Sequence, residues 1–336
     1  MANKDMEFDL LSLEANVVSK DLSDYTTMLY APAKFGKTTF AVKMFPKGLI
    51  LGWEVNWNAI RGAYGVPMRK WSDCAKLTRQ LKDEKVKEKF NVLIIDTMDL
   101  MYEGAVKHIL AINGVDSINK IPFGAGYKQV DDLIRDQLLE WRRLGYSLFF
   151  ISHSTEKEEE ITLADGTKET VERYVPTLNR RCFNVVNKFV NNIWFGNFVL
   201  DEDRKEQRVL FTRETVHYKA GSHFAHLPDS LPLDVNKVNE AVKEALLKED
   251  DREEQVESVK MFESFENIRT FENVKEEVTE LVMNKFIPND MLGEVNKIVE
   301  KNAGIGMKVA DMTEDMVDVL ETILVKLQEK AEELGI

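Results

Sequence analysis

Residues 31 to 39 read Ala31-Pro32-Ala33-Lys34-Phe35-Gly36-Lys37-Thr38-Thr39. Gly36-Lys37-Thr38 closes the pattern G-x-x-x-x-G-K-[ST] of a loop that cradles phosphates, with Ala31 in place of its first glycine. Each residue type has a task. Backbone N–H groups at a helix start face the phosphates, and Gly36 lets the chain approach them closely. Lys37 reaches the β and γ phosphates, and the Thr38 hydroxyl serves a magnesium ion. Ala31 adds one methyl, which the first position accepts if its φ is negative. Asp96 ends the apolar run Val92-Leu93-Ile94-Ile95, 59 residues past Lys37. A carboxylate at the C-terminal end of a parallel strand faces the ligand crevice, so Asp96 is expected to anchor the same magnesium. His153 follows Leu148-Phe149-Phe150-Ile151-Ser152 and is placed to hydrogen-bond a γ-phosphate and report its loss.

These side chains need elements to hold them. Thr26 to Tyr30, Leu49 to Glu54, Asn91 to Asp96 and Ser147 to Ser152 read as strands, and Thr38 to Met44, Trp71 to Lys85, Asp99 to Ala111 and Lys128 to Leu144 as helices. Strands alternating with helices of this length predict βαβ units and a mostly parallel sheet. Beyond them, Ile161 to Val175 alternates around Asp165-Gly166 as a hairpin would, and Asn192 to Leu200 with Gln207 to Arg213 predicts a second antiparallel pair around Asp201 to Lys205. The predicted fold is therefore α/β, a parallel core with antiparallel strands at one edge. From Phe271 the pattern is helical. In the last of three helices, with Thr313 as N-cap, Val317, Leu320, Leu324, Leu327 and Ala331 form one apolar stripe.

Hydrophobic residues are 44% of the 336 and charged residues 31%, which excludes a disordered or collagen-like chain. The longest apolar runs are strand-sized, against the roughly 18 residues a bilayer span needs. Met1 to Leu13 carries Lys4, Asp5, Glu7 and Asp9 without an apolar stretch, so no signal peptide is visible and a cytoplasmic location is expected. Cys74 and Cys182 lack metal-ligand or disulfide spacing. The formal charge of −13 is uneven: residues 244–336 hold 24 Asp and Glu against 11 Lys and Arg, leaving 34 of each sign before them. This predicts a core over 1–243, a charged linker over 244–270 and an acidic helical domain over 271–336. An acidic balance argues against a nucleic-acid partner, but here only for the tail.

Gly36-Lys37-Thr38-Thr39, Leu93-Ile94-Ile95-Asp96-Thr97, Ile151-Ser152-His153 and Tyr218-Lys219-Ala220-Gly221-Ser222-His223-Phe224 with Leu227-Pro228 together resemble the phage-encoded RecA-like ATPases of the AAA nucleotide-binding group, which includes single-strand-annealing recombinases. The similarity runs from about Thr26 to Leu231. It implies a RecA-like P-loop core, ATP with magnesium, assembly into a ring or filament, and work on single-stranded DNA beside a single-strand-binding protein. Many AAA-type enzymes place a catalytic Glu directly after the magnesium Asp, where this chain has Thr97. RecA-type enzymes take it from the end of the strand after the phosphate-loop helix, which here is Glu54. His223 stands where the group has Arg, leaving Lys219 and Arg213 as candidates for a finger acting across a subunit interface. The resemblance places mobile DNA loops after the strands ending near Ser152 and Asn197. Arg180, Arg181 and Lys188, and separately Lys128 beside Gly124, Gly126 and Tyr127, are the basic candidates for DNA contact. Two other functions share the phosphate loop: a nucleotide-switched helicase loader or assembly scaffold, and a P-loop kinase.

Overall fold

The computed structural model describes residues 18–162, 166–249 and 271–336. The N-terminal lead-in, Asp165 of the predicted hairpin turn and most of the predicted linker lie outside these residues. Two compact units divide the chain, Met1–Glu263 and Ser264–Ile336.

The first unit contains the predicted strands and helices in their predicted order, with further unpredicted elements between and after them. In sequence these are β1 (Thr27–Ala31), α1 (Lys37–Met44), β2 (Gly48–Gly52), β3 (Tyr64–Pro67), α2 (Ser72–Leu81), α3 (Glu84–Lys89), β4 (Val92–Asp96), α4 (Met98–Asn113) and α5 (Ala125–Arg143). There follow β5 (Ser147–Thr162), β6 (Lys168–Pro176), α6 (Arg180–Val186), β7 (Asn192–Leu200), β8 (Glu206–Phe211), β9 (Gly221–Ser222), β10 (Ser230–Pro232) and α7 (Val235–Glu249). The sheet runs β10-β8-β7-β1-β5-β4-β2-β3, with β6 paired to β5 and β9 to β7. Strands β3, β2, β4, β5, β1 and β7 are mutually parallel, and β8 and β10 extend the β7 edge antiparallel. This is the predicted α/β core, mostly parallel with antiparallel strands at one edge, and the phosphate-loop strand lies near its centre.

β1, β2 and β4 are buried along their whole length because helices cover both faces of the sheet. On one face Leu51, Leu93 and Ile95 pack with Ile134, Leu138 and Trp141 of α5. On the other, Ile50, Ile94 and Phe149 pack with Phe40 of α1 and Val238, Val242 and Leu246 of α7.

Three readings of the sequence need correction. The predicted helix from Trp71 to Lys85 breaks at Asp83, whose carboxylate accepts from the Lys85 N–H at 2.9 Å and so starts a new helix. The strand read as ending at Ser152 does not end there: β5 runs on to Thr162 and pairs with β6 as a long ribbon. β7 runs to Leu200 against β8, as the pattern of the sequence predicts, so hairpins occupy both places where the resemblance implied DNA loops. Finally, the core does not stop at residue 243. α7 continues to Glu249 with Ala245 and Leu246 buried, because its charges line one side of a helix whose other side is apolar.

The second unit is helical, as predicted: α8 (Phe271–Leu281), α9 (Leu292–Ala303) and α10 (Val317–Leu334). Leu320, Leu324, Leu327 and Ala331 of the predicted stripe, joined by Ile323, pack with Val274, Val278, Phe286 and Val299. Thr313, predicted as the N-cap of the last helix, instead precedes a short 3₁₀ turn, Glu314–Met316, without a side-chain cap hydrogen bond, and Met316 stands at the N-cap of α10.

Candidate nucleotide-binding site

Every predicted catalytic and magnesium residue lies at the C-terminal edge of the parallel strands. Ala31 is the last residue of β1 and has no positive φ, so its methyl fits an extended backbone and the first glycine is dispensable here. Gly36 is different. It caps α1 at φ 101°, and a Cβ there would lie 2.9 Å from Nη1 of Arg208. With no side-chain cap at Gly36, the N–H groups of the first turn of α1 can serve an anion. Phe35, between the two, is fully buried. Its ring packs edge-on against Phe198 and lies over Gly196, where a Cβ would stand 2.4 Å from its Cε1. The loop is thus tethered to the apolar layer beside β7.

Lys37 is 7% exposed, and its ammonium has three donors. Two go to the carbonyls of Ala31 and Pro32 at 2.9 and 3.0 Å, and Nδ1 of His153 lies at 3.4 Å. A donor facing Nδ1 makes that nitrogen the acceptor, which assigns the proton to Nε2. Nε2 then donates to Oε1 of Glu54 at 3.2 Å, and Asn56 donates to Oε2 at 3.1 Å. Burial pulls the Lys37 ammonium down to about 8, against the opposing pull of Asp96, Glu54 and Asp99. An incoming polyphosphate would replace the two carbonyls with full negative charge.

Thr38 donates to Oδ2 of Asp96 at 2.7 Å. Asp96 is 1% exposed, and burial pushes its carboxyl up to about 6 although Thr38 and Lys37 oppose the rise. A desolvated carboxylate beside a hydroxyl is an all-oxygen donor set suited to a hard cation, so Thr38 and Asp96 fit magnesium. Among the described residues no group of three His, Cys, Asp or Glu could hold a metal by itself.

Two features were missed by the sequence reading. Arg208, on β8, donates to the Phe35 carbonyl at 3.2 Å and brings a cation to the loop from 173 positions away. A cavity of about 390 Å³ opens beside it, lined by Gly36, Thr39, Lys43, Leu233 and Asp234 among others. Neither has a local signature, because β8 and the start of α7 reach the loop only through the sheet order.

The remaining candidates sit elsewhere or are already engaged. Arg213 donates to the carbonyls of Ser222, Phe224 and Ala225, closing that turn. The Lys219 ammonium lies 5.3 Å from the Phe183 ring, and its carbonyl accepts from the Tyr30 hydroxyl. His223 donates its backbone N–H to Asn191. Arg181 pairs with Asp131 at 3.1 Å and stacks over Tyr127, whereas Lys128, Arg180 and Lys188 are exposed. Cys74 and Cys182 are buried free thiols, each raised by desolvation.

The family described as an AAA domain matches residues 23–224, more than half of the chain, and that span contains the phosphate loop, Glu54, Asp96 and His153. The chain belongs to this AAA-domain family. A prophage protein of unknown role, the SPbeta prophage-derived YorG of Bacillus subtilis strain 168, is 26% identical to it over 96% of this chain and 99% of its own length. A KaiC-like protein of Pyrococcus horikoshii OT3 covers 61% of this chain and 90% of its own, at 12% identity and a TM-score of 0.33, too distant to bear on function. Arg208 and α7 are not far from the edge of the matched AAA domain, but Arg208 falls within it and α7 beyond it. Among the described residues no helix is long and apolar enough to cross a membrane.

Proposed function

We propose that this chain is a magnesium-dependent ATPase that assembles into a ring or filament and acts on single-stranded DNA in phage recombination or replication. One observation carries the ATPase reading: Lys37, His153 and Glu54 form a hydrogen-bonded row beside the Thr38–Asp96 pair. Lys37 neutralises charge on the γ-phosphoryl group, while the N–H groups of the α1 start hold the phosphates. Glu54 orients a water and accepts its proton, and His153 bridges this base to Lys37. Thr38 and Asp96 are the residues that would hold magnesium, which would supply further neutralisation of the phosphate charge. The cavity beside Arg208 would receive the nucleoside.

The nucleic-acid part rests on the family resemblance and the prophage setting of the relative. Of the basic candidates named from the sequence, Lys128, Arg180 and Lys188 are exposed and available to phosphates, with a single-strand-binding protein as companion. The β5–β6 ribbon, carrying Glu156, Glu158, Glu160 and Glu172, is a poor surface for DNA.

The test is ATP turnover with and without single-stranded DNA, for the wild type and for Glu54→Gln. We expect stimulation by DNA, and a loss of roughly 100-fold in Glu54→Gln with ATP binding retained. Normal turnover in Glu54→Gln would remove the base. Binding with negligible turnover in the wild type would favour a loader or scaffold, and stimulation by a small acceptor but not by DNA would favour a kinase.

A further inference from the structure

We infer that Trp53 and Trp57 are positioning residues for Glu54, two wedges that fix its carboxylate from opposite faces of the sheet; this rests on the reading of Glu54 as the base. The chain leaves β2 at Gly52 and must aim Glu54 at His153 from an otherwise exposed connection. Its backbone is clamped first. The N–H groups of Trp53 and Glu54 both donate to the Asp96 carbonyl, at 2.7 and 3.0 Å, tying the base to the strand end that carries the magnesium carboxylate.

The two rings then lock the segment. Trp53 packs with the core cluster of Leu49 and Leu51, beside Trp71 at 6.5 Å between ring centres, and its indole covers Gly104 of α4. Trp57 packs with the cluster of Ile50 on the other face, where its indole covers both Gly52 and Gly65. A Cβ would meet the Trp57 ring at 1.7 Å from Gly52 and 2.4 Å from Gly65, and the Trp53 ring at 2.5 Å from Gly104. None of these three glycines has a positive φ, so what they supply is room, not backbone freedom. Residues 53–57 cannot shift without lifting an indole from its seat. A displacement of about 1 Å at a reacting group can cost about 100-fold in rate, so the seat is worth testing by kinetics.

The experiment uses the full chain and reads kcat for ATP, the ATP dissociation constant and thermal unfolding. Trp57→Ala should lower kcat by about 10- to 100-fold with the dissociation constant changed less than about threefold, and Trp57→Phe, which keeps a flat ring, should recover most of the rate. In a Glu54→Gln background Trp57→Ala should add no further loss, because a residue acting only through Glu54 has nothing left to position. A purely structural role would instead lower both rates alike. An unchanged kcat in Trp57→Ala, or a full additional loss in the double variant, overturns the inference. Should Trp57→Ala fail to fold, Gly104→Ala, which unseats Trp53, carries the same expectations. Full turnover in Glu54→Gln would overturn the base and this inference together. An inactive Glu54→Gln beside a fully active Trp57→Ala would overturn this inference alone.

Discussion

Lys37 shows how burial sets the working range of a single side chain. Its ammonium is held near 8, well below its ordinary 10.5, because the loop strips it of water faster than Asp96 and Glu54 compensate. The native chain therefore releases this proton before the unfolded chain does. Stability linked to Lys37 is lowest below about 8, where a charged group is kept buried, and rises as pH goes from about 8 to 10.5. ATP binding has the opposite dependence, since the polyphosphate seeks the charged form. Affinity should be greatest below about pH 8 and weaken by up to about tenfold per unit above it. Equilibrium ATP binding between pH 6.5 and 9.5 checks this: a flat profile would mean that the ammonium stays charged throughout. Lys37→Ala should lose both the profile and turnover.

At the scale of elements, the phosphate loop depends on a strand that never touches phosphate. β7 lies beside β1, with Phe195 opposite Tyr30, so Gly196 comes next to Ala31 and leaves the hollow that Phe35 fills. Gly196→Ala should push Phe35 out and weaken ATP binding by about tenfold or more, with thermal unfolding confirming a folded core. Unchanged affinity in a folded variant would mean the loop keeps its shape without this seat. The same contrast separates what was legible from what was not. The buried apolar runs at Val92 to Ile95 and Leu148 to Ile151 announced central strands, and Gly36-Lys37-Thr38 announced its loop, because both signals are local. β3 is short, half-exposed and contains Gly65 and Pro67, so nothing in its composition marks a strand. The outer part of β5, rich in glutamate, reads as solvated chain until its pairing with β6 is seen. Arg208, the wedge glycines and the seat of Phe35 depend on contacts between distant elements, which one sequence does not display.

Over the whole molecule, the uneven charge and the boundary between units do not coincide. The charge count changes at Glu244, yet Ala245 and Leu246 of α7 are core residues, and the compact units divide at Glu263. Two shortened chains separate these boundaries. One ending at Glu263 keeps all of α7 and removes 16 Asp and Glu against 8 Lys and Arg. One ending at Lys243 also removes Leu246, whose burial alone is worth about 1.5 to 3 kcal/mol, so it should unfold at a clearly lower temperature than the first. If single-stranded DNA is the partner proposed above, the chain ending at Glu263 should bind it at least as tightly as the full chain. The gain should be largest at low salt, because the Debye length grows from about 8 Å at physiological ionic strength to about 30 Å at 0.01 M and the acidic unit then repels phosphates from further away. Binding titrations of both chains at low and high salt measure the difference. Equal affinity at all salt concentrations would leave the acidic unit a role in solubility alone, and weaker binding after its removal would make it part of the DNA site.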